Sequence, residues 1–185
     1  MPATLPVPVR FRLPDGWLPV RPEPGAGWEG AEGVAFAAVH PRPDAGFSAN
    51  ITLDGEVPPD TAALADLADA SIERLREIAA SVSVAARREV GSAEAPALTQ
   101  RLTFSAVTGG IRRDLVQSQV YLSLSDVDDP HKRAVIRVAL TATAGQHDAV
   151  LPDFQEFLRT VRPDVRPDVR PDVRPDVRPD TGTES

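Results

Sequence analysis

The chain has no cysteine among its 185 residues. That excludes disulfides, thiolate zinc sites, thiol catalysis and thioether lipid anchors. Its three histidines, His40, His131 and His147, stand far apart, without the short-spaced pair that zinc sites use, so no metal site is expected. There is no phosphate-binding loop and no nucleophile elbow. Asp128-Asp129 falls in a charged turn, where solvated carboxylates need no special role. No apolar run reaches the roughly 18 residues needed to cross a bilayer. Residues 1–17 show no positive start followed by an apolar helix. A soluble, cytoplasmic protein without stable membrane insertion is therefore expected. The formal charge of -7 repels nucleic-acid phosphates and mostly serves solubility. Neither a catalytic residue nor a cofactor is indicated.

What is present is architectural patterning. Pro6 and Pro8 alternate with Leu5, Val7 and Val9, which suits an extended lead-in or an edge strand. Pro14-Asp15-Gly16 reads as a turn before Trp17, and the Pro/Gly-rich residues 21–33 read as a surface loop. Trp17 and Trp28 flank that loop; Trp17 is read as the plug at one end of a small core, with an exposed binding anchor as the rival. Val34 to Val39 and Phe47 to Leu53 are two short apolar segments around a proline-rich turn, the pattern of an antiparallel hairpin.

Leu64, Leu67, Ala68, Ile72, Leu75 and Ile78 recur at helical spacing, predicting a helix from about Asp60 to Ala80 with Asp60 as its cap. Period two then returns. A strand runs from Val82 towards Val90, and alternation continues over 98–107, 115–124 and 134–143, giving four strands joined by short loops in an antiparallel meander. Val150, Leu151, Phe154, Phe157, Leu158 and Val161 predict a last helix with Pro152 in its first turn. The expected fold is a single α+β domain over residues 1–160, an antiparallel six- to seven-stranded sheet packed by two main helices. Strands with one apolar and one more polar face suggest helices on one side.

Val-Arg-Pro-Asp occurs five times from Val161 to Asp180. Proline blocks helix, and one apolar residue in four cannot build a core. Residues 161–185 are read as a disordered, polyproline-like spacer, serving either as a linker or docking tail or as a slippage expansion with no role.

Two groups stand out as candidate partner-binding residues. Gln100, Gln117, Gln119 and Tyr121 could share one polar-aromatic sheet face, suited to partner recognition; an ordinary solvated face is the alternative. Arg112 and Arg113, just after Gly109-Gly110, could hold an anion on converging guanidiniums, but a plain hairpin turn is the reading preferred for this segment.

Phe11, Leu13, Pro14, Gly16 and Trp17, then Phe47-Ser48-Ala49-Asn50-Ile51, occur in the order lead-in, hairpin, long helix, meander and C-terminal helix. This order resembles the PsbP-like α/β/α-sandwich fold over about residues 5–160, especially actinobacterial LpqN-type and DcrB-like proteins. The resemblance implies a non-catalytic role. The fold's members include photosystem assembly subunits, a nuclear-import factor that binds a small GTPase, and secretion-effector chaperones. LpqN-type proteins are envelope lipoproteins, and the lipobox cysteine is missing here. The resemblance supplies no catalytic residue and implies a protein partner; a second copy of the chain is the other partner considered. The expected function is thus a protein-binding adaptor or chaperone-like module. The rivals are a small-molecule or lipid carrier, with an apolar cavity between sheet and helices, and a structural homo-oligomeric assembly subunit.

Overall fold

β-branched and apolar residues at every second position hold the chain extended, and the short turns between such runs fold it back on itself. The computed structural model describes residues 4–22, 33–125 and 133–164. In chain order these form β1 (Val9–Arg10), β2 (Leu18–Val20), β3 (Val34–Val39), β4 (Asn50–Glu56), α1 (Leu64–Ile78), β5 (Ala80–Gly91), β6 (Pro96–Thr108), β7 (Ile111–Ser125), β8 (Arg133–Thr143), α2 (His147–Thr160) and β9 (Arg162–Pro163). Seven strands in the order β2-β3-β4-β8-β7-β6-β5 make one antiparallel sheet, and β1 pairs with β9 in a small second one. The expected meander is the run β5 to β8. At Gly109 and Gly110, with φ of 58° and 78°, the β6–β7 hairpin closes through a left-handed pair that favours glycine.

Both faces of the sheet are covered, in contrast to the one-sided packing that the strand pattern suggests. α2 and the N-terminal lead-in cover one face. There Ile51, Leu53, Ile136, Val138 and Leu140 meet Val150, Phe154 and Phe157, with Val7, Phe11 and Leu13 packed at the margin. Phe11 bridges the two, its ring 4.7 Å from Phe36 and 5.3 Å from Phe157. Trp17 is buried in this core and donates Nε1–H to Asp153 Oδ2 at 2.9 Å, so the plug reading of Trp17 holds. α1 covers the opposite face with Leu64 and Ala68 on Leu98, Tyr121 and Val135, and Ile72 on Leu102, Phe104 and Leu115.

Several boundaries differ from expectation. α1 starts after Ala63 rather than at Asp60, because the Asp66 carboxylate reaches back to the Ala63 N–H at 2.9 Å and closes the first turn. α2 begins three residues before Val150, so His147 lies buried in its first turn and Pro152 sits in the second. The folded body also extends past Thr160. Val161 packs on the α2 core, β9 pairs with β1, and Asp164 N–H donates to Pro8 O at 2.9 Å. The first Val-Arg-Pro-Asp unit is therefore structural. Trp28, Asp128, Asp129, His131 and the later repeats lie outside the described residues.

Candidate functional site

Strand register assembles a polar layer beneath α1. Gln100 on β6 stands opposite Gln119 on β7; Tyr121 stands opposite Arg137 on β8, and Arg137 opposite Asp54 on β4. Small residues make room for these long side chains: Ala139 lies opposite Gln119, and α1 presents Ala68 and Ser71 above. Gln100, Gln119 and Tyr121 are all at or below 3 % exposure. They do form one polar-aromatic group, as the sequence suggests. They are not an exposed recognition surface, because α1 lies across them.

The layer is satisfied from within. Gln100 Nε2 donates to Gln119 Oε1 at 2.6 Å and to Ala68 O at 3.3 Å, while its Oε1 accepts from Arg87 Nε and Nη2. Gln119 Nε2 donates to Ser71 Oγ at 3.0 Å and to Gln117 Oε1, and its Oε1 also accepts the Tyr121 hydroxyl at 3.0 Å. Gln117, half-buried, donates onward to Thr141 Oγ1. Arg137 donates to Asp54 Oδ2 through Nε and Nη2, and to Ser71 Oγ through Nη1. Arg87 closes the outer end on Asp69 Oδ1 at 2.7 Å. Burial holds the Tyr121 hydroxyl above its ordinary value, so it stays protonated and donates. Burial would lower Arg137, but Asp54 and Tyr121 outweigh it and the guanidinium stays charged. Such a closed network orders a core and offers no free nucleophile or base.

A second cluster was hidden from sequence reading. Ser118 Oγ lies 2.9 Å from His147 Nε2, and His147 Nδ1 lies 3.4 Å from Asp148 Oδ1. The residue types match a serine-hydrolase triad, but the surroundings do not. Ser118 sits mid-strand between Arg101 and Leu140 rather than on an elbow. The Asp148 side chain is 92 % exposed, so it orients the imidazole weakly. Burial pushes His147 below its ordinary value, Asp148 pulls it up and Arg101 pushes it down; the net shift is downward and the ring is neutral. The contact fastens α2 to β7. The spacing 147, 150, 154, 157 was the available signal, masked because histidine reads as polar.

Arg112 and Arg113 do not converge. As neighbours on one strand they leave opposite faces of the sheet. Arg113 is tied to Thr108 Oγ1 at 2.9 Å and to Ala45 O, while Arg112 is exposed. A two-guanidinium anion site is thereby excluded for this pair. His40 lies apart from His147, its Nδ1 within 3.2 Å of the Arg42 N–H and its ring against Trp17.

An open cleft of about 620 Å³ lies at the start of α1, between Leu64, Glu89, Val90, Ser123 and Arg133. Its arginine is already engaged with Ser123 Oγ and Ala62 O. It has the mixed polar lining of a surface recess, unlike the apolar cavity a lipid carrier requires. Beneath α2 the space is filled by Ile51, Leu53, Leu140, Phe154 and Phe157.

No family model matches the chain, and no curated protein matches it. Solved structures do. LpqN of Mycobacterium tuberculosis, described as involved in cell envelope biogenesis, is similar with a TM-score of 0.56 at 12% identity, over 85% of this chain and 86% of that one. The Ran-binding protein Mog1p of Saccharomyces cerevisiae gives 0.55 at 14% identity, over 83% and 89%. CyanoP, the PsbP of Synechocystis sp. PCC 6803, matches with a TM-score of 0.52 at 15% identity, over 84% of this chain and 86% of its own. The fold is the PsbP-like α/β/α sandwich. Identities this low show the PsbP-like architecture alone.

Proposed function

We infer that this PsbP-like chain is a non-catalytic protein-binding module of the adaptor or chaperone-like kind. One contrast carries the reading. The polar layer of Gln100, Gln119, Tyr121 and Arg137 is sealed under α1 and bonded within itself, and Ser118 is engaged with His147 of α2, while among the described residues the outer edge of β5 and the face beside it are bare. A protein built to react keeps polar groups open to a substrate; one built to hold a partner keeps backbone and flat surface open. Mog1p binds Ran, and LpqN serves envelope biogenesis; both descriptions accord with a binding role on this fold.

The decisive experiment is affinity capture with in-cell cross-linking from the cells that make the protein, using the full chain and a chain ending at Asp164. Reproducible enrichment of one protein over a bait of unrelated fold is expected. Recovery of a bound lipid or metabolite with no enriched protein overturns the reading in favour of a carrier.

A further inference from the structure

We propose that β5, with the bare half-face beside it, is a strand-addition site for an extended, acidic protein segment. This deepens the protein-binding reading and rests on it.

The two edges of the sheet are unequal. β2 has three residues, one of them Pro19, which lacks an N–H to donate. β5 has twelve, exposed nearly throughout, and pairs with β6 alone among the described strands. Its first half is broken by register shifts between Ala80 and Ser83 and between Val84 and Ala86. From Ala86 to Gly91 the ladder to β6 is regular. About half of the backbone N–H and C=O groups in such a stretch point outward, ready to pair with another strand.

α2 sits over β8, its first turn reaches Ser118 of β7, and its core draws on β3 and β4, so among the described residues no helix packs over the same face of β5 and β6. On that face Arg88 stands opposite Thr99, and Arg101 opposite Ala86, which makes the two guanidiniums diagonal neighbours. Arg112 lies on the same face near the β6–β7 hairpin. None of the three is in an ion pair among the described residues. The one carboxylate on this face of β5, β6 and β7 is Asp114, which accepts the Ser105 hydroxyl at 2.7 Å. Asp148 borders the patch through His147. A basic patch on a chain of charge -7 steers an acidic segment here and away from the rest of the surface. Carboxylates at alternate positions of an added strand would all face Arg88 and Arg101. Val84 and Val90, 45% and 39% exposed, offer apolar contact along the edge.

A second copy fits less well. Two β5 strands paired about a two-fold axis at Arg87 or at Glu89 set that charge against itself, which is destabilising. The bulges and charges of β5 act in the same way against indiscriminate pairing.

The test uses the full chain and a synthetic peptide alternating glutamate with threonine, with lysine in place of glutamate as the control. Titration should show saturable binding of the glutamate peptide, weakened about tenfold or more by raised salt. Hydrogen exchange should slow at Ala86–Gly91. The double variant Arg88→Glu, Arg101→Glu should keep the parent melting curve and lose at least about tenfold in affinity. Equal binding of the lysine peptide, binding without slowed exchange on β5, or an unaffected double variant overturns the proposal. So does a dimer in sedimentation whose β5 is protected without peptide, since a second copy then occupies the edge. If cellular capture persists with the double variant, this site falls while the protein-binding reading stands.

Discussion

Gln119 is the side chain on which the buried polar layer turns. Its amide bonds Gln100, Gln117, Ser71 and Tyr121, drawn from two strands and a helix. Gln119→Ala leaves those partners short of bonds and opens a cavity under α1, at a cost of about 3 kcal/mol. Gln117→Ala, half-buried and at the margin, should cost about 1 kcal/mol. Urea unfolding of both variants checks this, and equal small losses would show that the layer does not order the core. The sequence made the grouping legible, because Gln117, Gln119 and Tyr121 share the parity of one strand and the Gly109-Gly110 turn brings Gln100 beside them. It could not show that they are covered. Alternation says that two faces differ, and is silent on what lies above each. The clue to burial was elsewhere, in Ala68 and Ser71, whose small side chains let α1 settle onto a polar stripe.

Among the elements, α2 depends on a residue that reads as a loop histidine. His147 fixes the first turn of the helix to Ser118 of β7 and is neutral in the folded chain, because burial opposes its charge. The unfolded chain takes up that proton below about pH 6.5. Since the folded value is depressed, the docking of α2 contributes fully above that pH. The contribution falls as pH drops through the ordinary value, and the decline ends below the folded value. Melting temperatures at about pH 7.5 and 5.5 should therefore fall more for the parent than for His147→Gln, whose amide can still meet Ser118 without titrating. Parallel profiles would remove His147 from the account. The boundaries missed in sequence have two origins. The start of α1 is set locally, by Asp66 reaching back to Ala63 in place of a cap at Asp60, whereas the start of α2 is set by the tertiary bond from Ser118 to His147. By contrast, β6, β7 and β8 followed from alternation alone, since a one-residue slip would turn every apolar side chain to the wrong face.

At the scale of the whole molecule, the two ends of the described fold clasp one another. Thr160 Oγ1 accepts the Arg12 N–H at 2.9 Å, β1 pairs with β9, and Asp164 N–H meets Pro8 O. The clasp holds Phe11 against Phe157 and so closes the rim of the α2 core. Its exposed charge pair, Arg12 with Glu156 at 4.0 Å, adds little. The repetition of Val-Arg-Pro-Asp concealed this role, because five identical units give no local reason for the first to differ from the rest. The role is positional: the first unit directly follows α2, at the point where β1 passes. A chain ending at Asp164 should therefore melt with the full chain. One ending at Thr160 loses β9 and the half-buried Val161, and should be about 2 kcal/mol less stable. Its amide exchange should quicken over residues 7–12 and around Phe157, and remain unchanged in β5, on the far edge of the sheet. If both truncations melt alike, the first unit is as dispensable as the spacer reading holds, and the fold ends at Thr160.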